Sequence, residues 1–386
     1  MLNPLILLSR ARLTAARSRT SDAIGNRLGL VQISFAALLW GTTGILVRRL
    51  QASTSLGPVA IGFYRLLVAA ALLLLLSGPR LRLVSAGLRR HPWSLLLSGV
   101  GLGVYQVLYF ISIVDVGVGV STVVSLGVAP IITVIIESIG ARRRPSARIV
   151  AVVLVAVAGL ALVASASART VTASAPAPGI GLLAAVGSGL SYAVTTVVSR
   201  RAAQGVSPLA MTTTSSVFGA LTLLPLALAS GAGFTVRGSA VLQLVYLGAA
   251  TTVLAYGLFY AGLRTTASSV ASVLTLIEPL AATVLAVLVL AEPLPLLTIA
   301  GGGLMLGAIG VLYLAPRTVA DFDTGTDFET GADSETADGS GTADSGTAAG
   351  SGTAADSGTA ADGATGGTGG PMSAPAAVIK RSRSAG

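Results

Sequence analysis

Residues 106–133 read QVLYFISIVDVGVGVSTVVSLGVAPIIT, and residues 255–282 read AYGLFYAGLRTTASSVASVLTLIEPLAA. Each segment joins two apolar runs through a short connection. Pro130 and Pro279 fall in register in the second run, at an offset of 149 residues. One such match between apolar segments is weak, because chance similarity between them is common, but chance matches have no preferred spacing.

Two further matches occur at nearly the same offset. LLWGTTGILVRR at 38–49 corresponds to LSYAVTTVVSRR at 190–201, at an offset of 152 residues. GLALV at 159–163 corresponds to GVLYL at 310–314, at an offset of 151 residues. Three matches in chain order at one period indicate an internal duplication of about 150 residues.

The composition is that of an integral membrane protein. Of the 386 residues, 53% are hydrophobic and only 10% are charged, and the mean hydropathy is +0.83. A soluble protein carries about 25% charged residues. The net charge of +10 lies in short arginine clusters between apolar runs. That distribution is typical of membrane loops and argues against a nucleic-acid-binding surface.

Ten apolar runs are long enough to cross a hydrocarbon core of about 30 Å as helices. They lie near 29–48, 57–77, 94–114, 119–138, 149–167, 179–199, 208–230, 239–262, 267–290 and 296–315. The connections are too short for a globular insert, so any site has to lie inside the bundle or at its mouths.

The predicted fold class is an all-α integral membrane protein with ten transmembrane helices arranged as two inverted five-helix repeats. Five is an odd number, so the second repeat enters the membrane from the opposite side, as in many secondary transporters. The repeats are predicted at 29–167 and 168–316, after an N-terminal arm at 1–28. Residues 317–386 repeat SGTAAD-like units with few large apolar side chains and are predicted to be a disordered, low-complexity tail.

Arginine placement predicts the orientation. Counted alternately, the connections on one side carry 17 arginines, whereas those on the other carry four: Arg48, Arg49, Arg169 and Arg237. The arginine-rich side is predicted to be cytoplasmic. Both termini would then be cytoplasmic, and the protein would be a multi-pass protein of the inner (cytoplasmic) membrane.

The residues that several classes of enzyme and metal site require are absent from this sequence. The chain has no cysteine and one histidine, His91, so it offers neither a cysteine or histidine metal cluster nor a Ser-His-Asp triad. The glycine-rich stretches at 99–103 and 301–307 lack the lysine of a phosphate-binding loop. We therefore expect no enzyme activity, no metal and no cofactor.

Two charged residues fall at membrane depth, where a charge costs about 2.5–3.5 kcal/mol. Arg65 in the second run and Glu278 in the ninth are predicted at about the same level. A carboxyl group there can bind a proton or a substrate cation, since apolar surroundings favour its protonated form and a nearby cation favours its charged form. The alternative is a structural pair that locks the two helices together.

Other candidate substrate-binding residues share an aromatic ring, a hydroxyl or an amide within the runs: Trp40, Gln106, Tyr109, Ser125, Tyr192, Thr195, Tyr256 and Thr275. The alternatives are an interfacial aromatic belt and hydroxyls that bond their own helix. Pro130 and Pro279 are predicted to kink their helices. Glu137, near Arg142–Arg144, is predicted to form an interfacial ion pair.

The chain resembles the drug/metabolite transporter superfamily, in its EamA-like branch of ten-span permeases. The resemblance covers about 29–316. It rests on Trp40-Gly41, on Phe63-Tyr64-Arg65, on the tyrosines of the third and eighth runs, and on Pro130 and Pro279, the latter followed 13 residues later by Glu292. It implies a five-plus-five inverted repeat and export or exchange of small organic metabolites. Arg143 stands where the first half of such permeases usually has Glu.

These features predict a secondary active transporter that moves a small organic metabolite, amino acid or drug-like solute by alternating access, with proton- or exchange-coupled efflux. Its partners would be the small-molecule substrate, membrane lipid, a coupling proton and, through a Gly303/Gly307 face, a second protomer in a homodimer. No nucleic acid is expected. The alternatives are a passive channel or facilitator, an intramembrane enzyme, and a receptor or scaffold.

The inverted arrangement makes a direct topological prediction. A reporter inserted beside Arg169, in the link between the repeats, should lie on the periplasmic side, because five spans separate it from a cytoplasmic N-terminus. Paired phosphatase and fluorescent-protein fusions measure this, with a fusion beside Arg143 as the cytoplasmic control. A cytoplasmic reporter at Arg169 would contradict the inverted repeat.

Overall fold

The computed structural model describes residues 27–167, 177–231, 238–290 and 295–314, together with Gly25 and Gly233. All of them belong to one compact unit, Met1–Phe328. Most of the predicted N-terminal arm, the link around Arg169, the loop residue Arg237, Glu292 and the whole 317–386 tail lie outside the described residues.

The described part of the chain contains nine helices that are long and apolar enough to cross a membrane. One of them, Pro92–Ala141, is interrupted by a residue with non-helical backbone, Gly117, and is treated as two segments. The long helices are α1 Arg27–Ser53, α2 Pro58–Ser77, α3 92–116, α4 118–141, α5 Ala147–Ser167, α6 Pro178–Ala203, α7 Pro208–Ala229, α8 Gly238–Gly262, α9 268–290 and α10 Leu296–Leu314. The all-α membrane fold is confirmed, and the positions follow the predicted apolar runs. The division into two inverted repeats stays a prediction.

Gly117 marks the turn between α3 and α4. Its φ of 79° and ψ of 163° are accessible to glycine and disfavoured for residues with a Cβ. On the arginine-rich side, the connection between α2 and α3 contains a 3₁₀ turn, Gly78–Arg80, and a short helix, Leu81–Arg90. This short helix carries exposed arginines at both ends, as expected for a segment at the lipid headgroups.

The ninth helix is broken beside its proline. It consists of two pieces, Ser268–Leu274 and Ile277–Leu290, separated by a turn at Thr275 and Leu276. Pro279 has no N–H for the carbonyl of Thr275, which instead accepts a hydrogen bond from the backbone N–H of Glu278 at 3.0 Å. In α4, by contrast, the helix continues through Pro130. The two prolines occupy equivalent positions in the internal repeat, but the backbone around them differs.

The helix bundle is held together by contacts between helices that are distant in the sequence. α3 and α4 pack along α6, α2 packs against α7, and α5 packs against α10. The α5–α10 contact is a backbone approach at Gly159 and Gly301. A Cβ built on Gly301 would lie 2.5 Å from the carbonyl oxygen of Gly159 and 2.8 Å from Leu162 Cβ.

Glycine is therefore required at this crossing. Gly301→Ala should lower the free energy of unfolding by about 1–3 kcal/mol, because the methyl group has no space without a shift of α10 away from α5. Gly44→Ala in α1 is the matched control, since nothing lies within 4 Å of a Cβ at Gly44. Thermal unfolding in detergent measures both. Equal midpoints for the two variants would contradict the close crossing.

Candidate functional site

Arg65 of α2 and Gln106 of α3 form the first part of the site. Arg65 Nη2 donates a hydrogen bond to Gln106 Oε1 at 2.8 Å, and Gln106 is buried. The Nε–H of Arg65 is also buried but has no hydrogen-bond partner among the described residues. Gln106 thus holds the guanidinium in place and leaves one of its donors open to a ligand.

Glu278 of α9 forms the second part. It lies in the first turn of the Ile277–Leu290 piece, directly after the helix break, and it is half-buried. Its carboxylate is close enough to Arg65 for the two charges to interact. The sequence predicted the two groups at one level of the membrane, and the structure places them within electrostatic range of each other.

Tyrosine side chains surround this pair of charges. Tyr105, Tyr192 and Tyr256 come from α3, α6 and α8 and all lie within electrostatic range of Glu278. Tyr105 and Tyr192 have ring centroids 5.3 Å apart, and Tyr105 stacks on Tyr109 at 6.1 Å. Such rings offer flat apolar faces and hydroxyl groups, and their faces attract cations.

A small cavity lies among these rings. Its lining includes Tyr105, Tyr192, Thr195, Tyr256 and Tyr260. The free space has room for about one water molecule, so the described residues enclose the cavity tightly. The buried Tyr192 hydroxyl lies beside the hydroxyl groups of Thr275 and Thr196 at this cavity.

Trp40 joins α1 to an irregular turn of α8. Residues Ala249–Leu254 form a π-helical turn, in which the backbone hydrogen bonds are shifted by one residue. The Trp40 Nε1–H donates to the carbonyl oxygen of Thr251 at 2.9 Å. The same indole packs on Tyr256, with ring centroids 4.9 Å apart. Trp40 therefore fixes the ring of Tyr256 as well as the bulged turn.

The remaining predicted residues have partners within the protein. Ser125 and Ser188 share a hydrogen bond of 2.8 Å across the α4–α6 contact. Thr275 Oγ1 donates to the Ser272 carbonyl at 2.9 Å, and Tyr109 shares a 2.7 Å hydrogen bond with Thr122. These hydroxyls pack helices together, whereas Arg65, Gln106, Tyr192, Thr195, Tyr256 and Glu278 converge on one region.

Glu137, for which the sequence suggested an ion pair with Arg142–Arg144, makes a different contact. Its Oε1 accepts a hydrogen bond from the backbone N–H of Ser268 at 2.6 Å, and its Oε2 accepts one from Ser269 at 3.1 Å. The carboxylate at the end of α4 thus caps the N-terminus of α9. Sequence spacing gives no signal for this contact, because the partners are backbone groups 131 and 132 residues away.

Comparison with known proteins agrees with a membrane transporter. The model of the EamA-like transporter family matches the chain twice, at residues 27–165 and 179–314. The chain is 31% identical over 231 residues to the uncharacterized transporter YwfM of Bacillus subtilis (strain 168), covering 59% of this chain and 74% of that protein. A solved crystal structure superposes with a TM-score of 0.65 at 21% identity, covering 75% of this chain and 97% of the other. That likeness concerns the fold alone.

The role of Trp40 can be measured against the other tryptophan. Trp40→Phe keeps an aromatic ring but leaves the Thr251 carbonyl without its donor, so we expect a loss of about 1–3 kcal/mol in the free energy of unfolding. Trp93→Phe is the matched control, because Trp93 is 72% exposed. Thermal unfolding in detergent, followed by circular dichroism, measures the stability of both variants. Equal stability of the two variants would contradict the anchoring role.

Proposed function

Because the chain belongs to the EamA-like transporter family, we propose that it is a secondary active transporter working by alternating access. Membership makes it a multi-pass membrane transporter of small solutes. The proposal adds a substrate site at Arg65 and Glu278 and coupling of solute efflux to a proton or to exchange.

The observation that carries the proposal is the pair of opposite charges with several tyrosines within electrostatic range of Glu278. Charged groups within a membrane bundle are costly and mark substrate or ion pathways. Arg65 offers an open N–H donor, which fits an anionic group, and Glu278 offers a carboxylate, which fits a cation. A zwitterionic solute such as an amino acid satisfies both groups and leaves the occupied site neutral, whereas a singly charged solute leaves one protein charge unmatched.

The bundle also supports alternating access. The two family matches support two homologous halves. In the proposed repeat α7 is the counterpart of α2, and α10 that of α5, and each packs against its counterpart. The tight cavity favours a carrier over an open pore, since a pore requires a continuous wet path. The two halves would rock about the site and expose it to each side in turn.

The proposal includes an orientation in the membrane and a homodimer. The arginine-rich connections would face the cytoplasm, which places the protein in the cytoplasmic membrane with both termini inside. Nothing lies within 4 Å of a Cβ at Gly303 or Gly307 of α10. This face has room for close approach of a second protomer in a homodimer.

Reconstituted protein tests the function directly. Proteoliposomes are loaded with radiolabelled zwitterionic, cationic or anionic solutes of similar size, and efflux is followed with and without a pH gradient. Saturable efflux or exchange, highest for a zwitterion, is the expected result. Non-saturable flux would indicate a passive channel, and equal rates for the three charge classes would contradict the two-charge site.

Glu278→Gln should abolish pH-driven transport, with a fall of at least about tenfold. The amide cannot bind and release a proton near neutral pH, and it does not carry the negative charge that faces Arg65. The protein should still insert and fold, since the amide has nearly the same shape. Asp115→Asn is the matched carboxylate-to-amide control near the end of α3. Unchanged pH-driven transport in Glu278→Gln would remove Glu278 from the mechanism.

A further inference from the structure

We propose that Glu137 is a gating residue: its carboxylate latches the N-terminal piece of α9 to the end of α4 and keeps the cytoplasmic access path closed. The inference rests on the proposed alternating-access function and adds a residue and a hinge to it. Release of the latch would open the path from the cytoplasm to the site.

The latch joins the two predicted repeats through backbone atoms. The 2.6 Å and 3.1 Å hydrogen bonds use the N–H groups of Ser268 and Ser269, the first two residues of α9. Such N–H groups have no partner within their own helix, and a carboxylate is favoured there by the helix dipole as well. Loss of Glu137 therefore leaves two buried donors unpaired. Ser268 and Ser269 are both buried, so water is not available to replace the carboxylate in the closed state.

The same end of the bundle holds a second set of contacts. Arg200, at the end of α6, donates from Nε to the Thr266 carbonyl at 2.9 Å. Gln204 Nε2 donates to the Arg264 carbonyl at 3.2 Å. The connection between α8 and α9 is thus held by α6 on one side and by α4 on the other, and Gly29 of α1 packs against Thr265 and Thr266. From the first repeat, Glu137 contributes the hydrogen bonds to the start of α9.

The break in α9 supplies a hinge. All seven residues of Ser268–Leu274 are buried, and the helix resumes only at Ile277. Glu278 lies on the far side of the break. Backbone hydrogen bonds tie Thr275 and Leu276 to the short piece, and the bond from the Glu278 N–H to the Thr275 carbonyl joins this turn to the second piece. A change at this turn would let the short piece tilt away from α4 while the piece that carries Glu278 stays in place.

The internal repeat shows that this contact is specific to one side of the membrane. At the offset of 149 residues, Gly117 corresponds to Thr266 and Glu137 corresponds to Ala286. Alanine has no side-chain acceptor, so the counterpart helix α4 cannot be latched by the equivalent position. A general packing device would be expected in both halves. A contact that is present in only one of the two equivalent places fits a gate that closes the site on one side of the membrane.

Thiol labelling tests the latch on a chain that has no cysteine of its own. Ser272→Cys places a single, nearly isosteric thiol on the short piece, where Ser272 is buried. A membrane-impermeant maleimide is added to inside-out and right-side-out vesicles. Glu137→Ala should raise the labelling rate at Cys-substituted Ser272 by about tenfold or more in inside-out vesicles only. Glu137→Gln, which keeps one acceptor oxygen, should give an intermediate rate.

Ser138→Ala is the matched control, because its hydroxyl bonds its own helix at the Val134 carbonyl and makes no gate contact. An unchanged rate in Glu137→Ala, or an equal rise from both sides as in a loosened bundle, would overturn the latch. Efflux by the wild-type protein is measured in parallel. Absence of efflux would refute the proposed function on its own, whereas normal efflux with unchanged labelling would refute only the latch.

Discussion

Every backbone N–H and C=O in the hydrocarbon has to find a partner inside the protein, and this constraint explains the irregular places in the structure. The chain departs from regular helix within the bundle at the π-helical turn Ala249–Leu254 and at the break before Glu278. Each departure has a local partner. Trp40 pairs with the carbonyl of Thr251, and the Glu278 N–H pairs with the carbonyl of Thr275.

These irregular places surround the charged site. The π-helical turn positions Tyr256 through Trp40, and the α9 break presents Glu278 at the start of a helical piece. Regular helices alone would place the same side chains on rigid cylinders. With the breaks, part of the site lies at the ends of helical segments, and such segments can have two arrangements at a small difference in free energy.

Sequence alone was sufficient for the long apolar helices, and much less so for the local contacts. Apolar run length limits where a helix can cross, so the predicted runs agree in position with the long apolar helices of the described residues. The prediction that Arg65 and Glu278 share one depth rests on the constant rise per residue, and the structure places the two groups within electrostatic range of each other. The Glu137 cap and the π-helical turn could not be predicted, since both depend on which backbone groups meet across the bundle. The difference between Pro130 and Pro279 has the same origin: the same residue is tolerated in a continuous helix in α4 and accompanies a break in α9.

At the crossing of α5 and α10, Gly159 and Gly301 bring the two backbones into close contact, with Leu162 and Met305 at its edge. Two helices that touch main chain to main chain can slide or separate far less readily than two that meet through flexible side chains. Because α5 and α10 belong to different predicted repeats, the pair would serve as the pivot about which the two halves rock. A spectroscopic probe attached at this pair and a second probe on another helix would measure how far that helix moves relative to the α5–α10 contact.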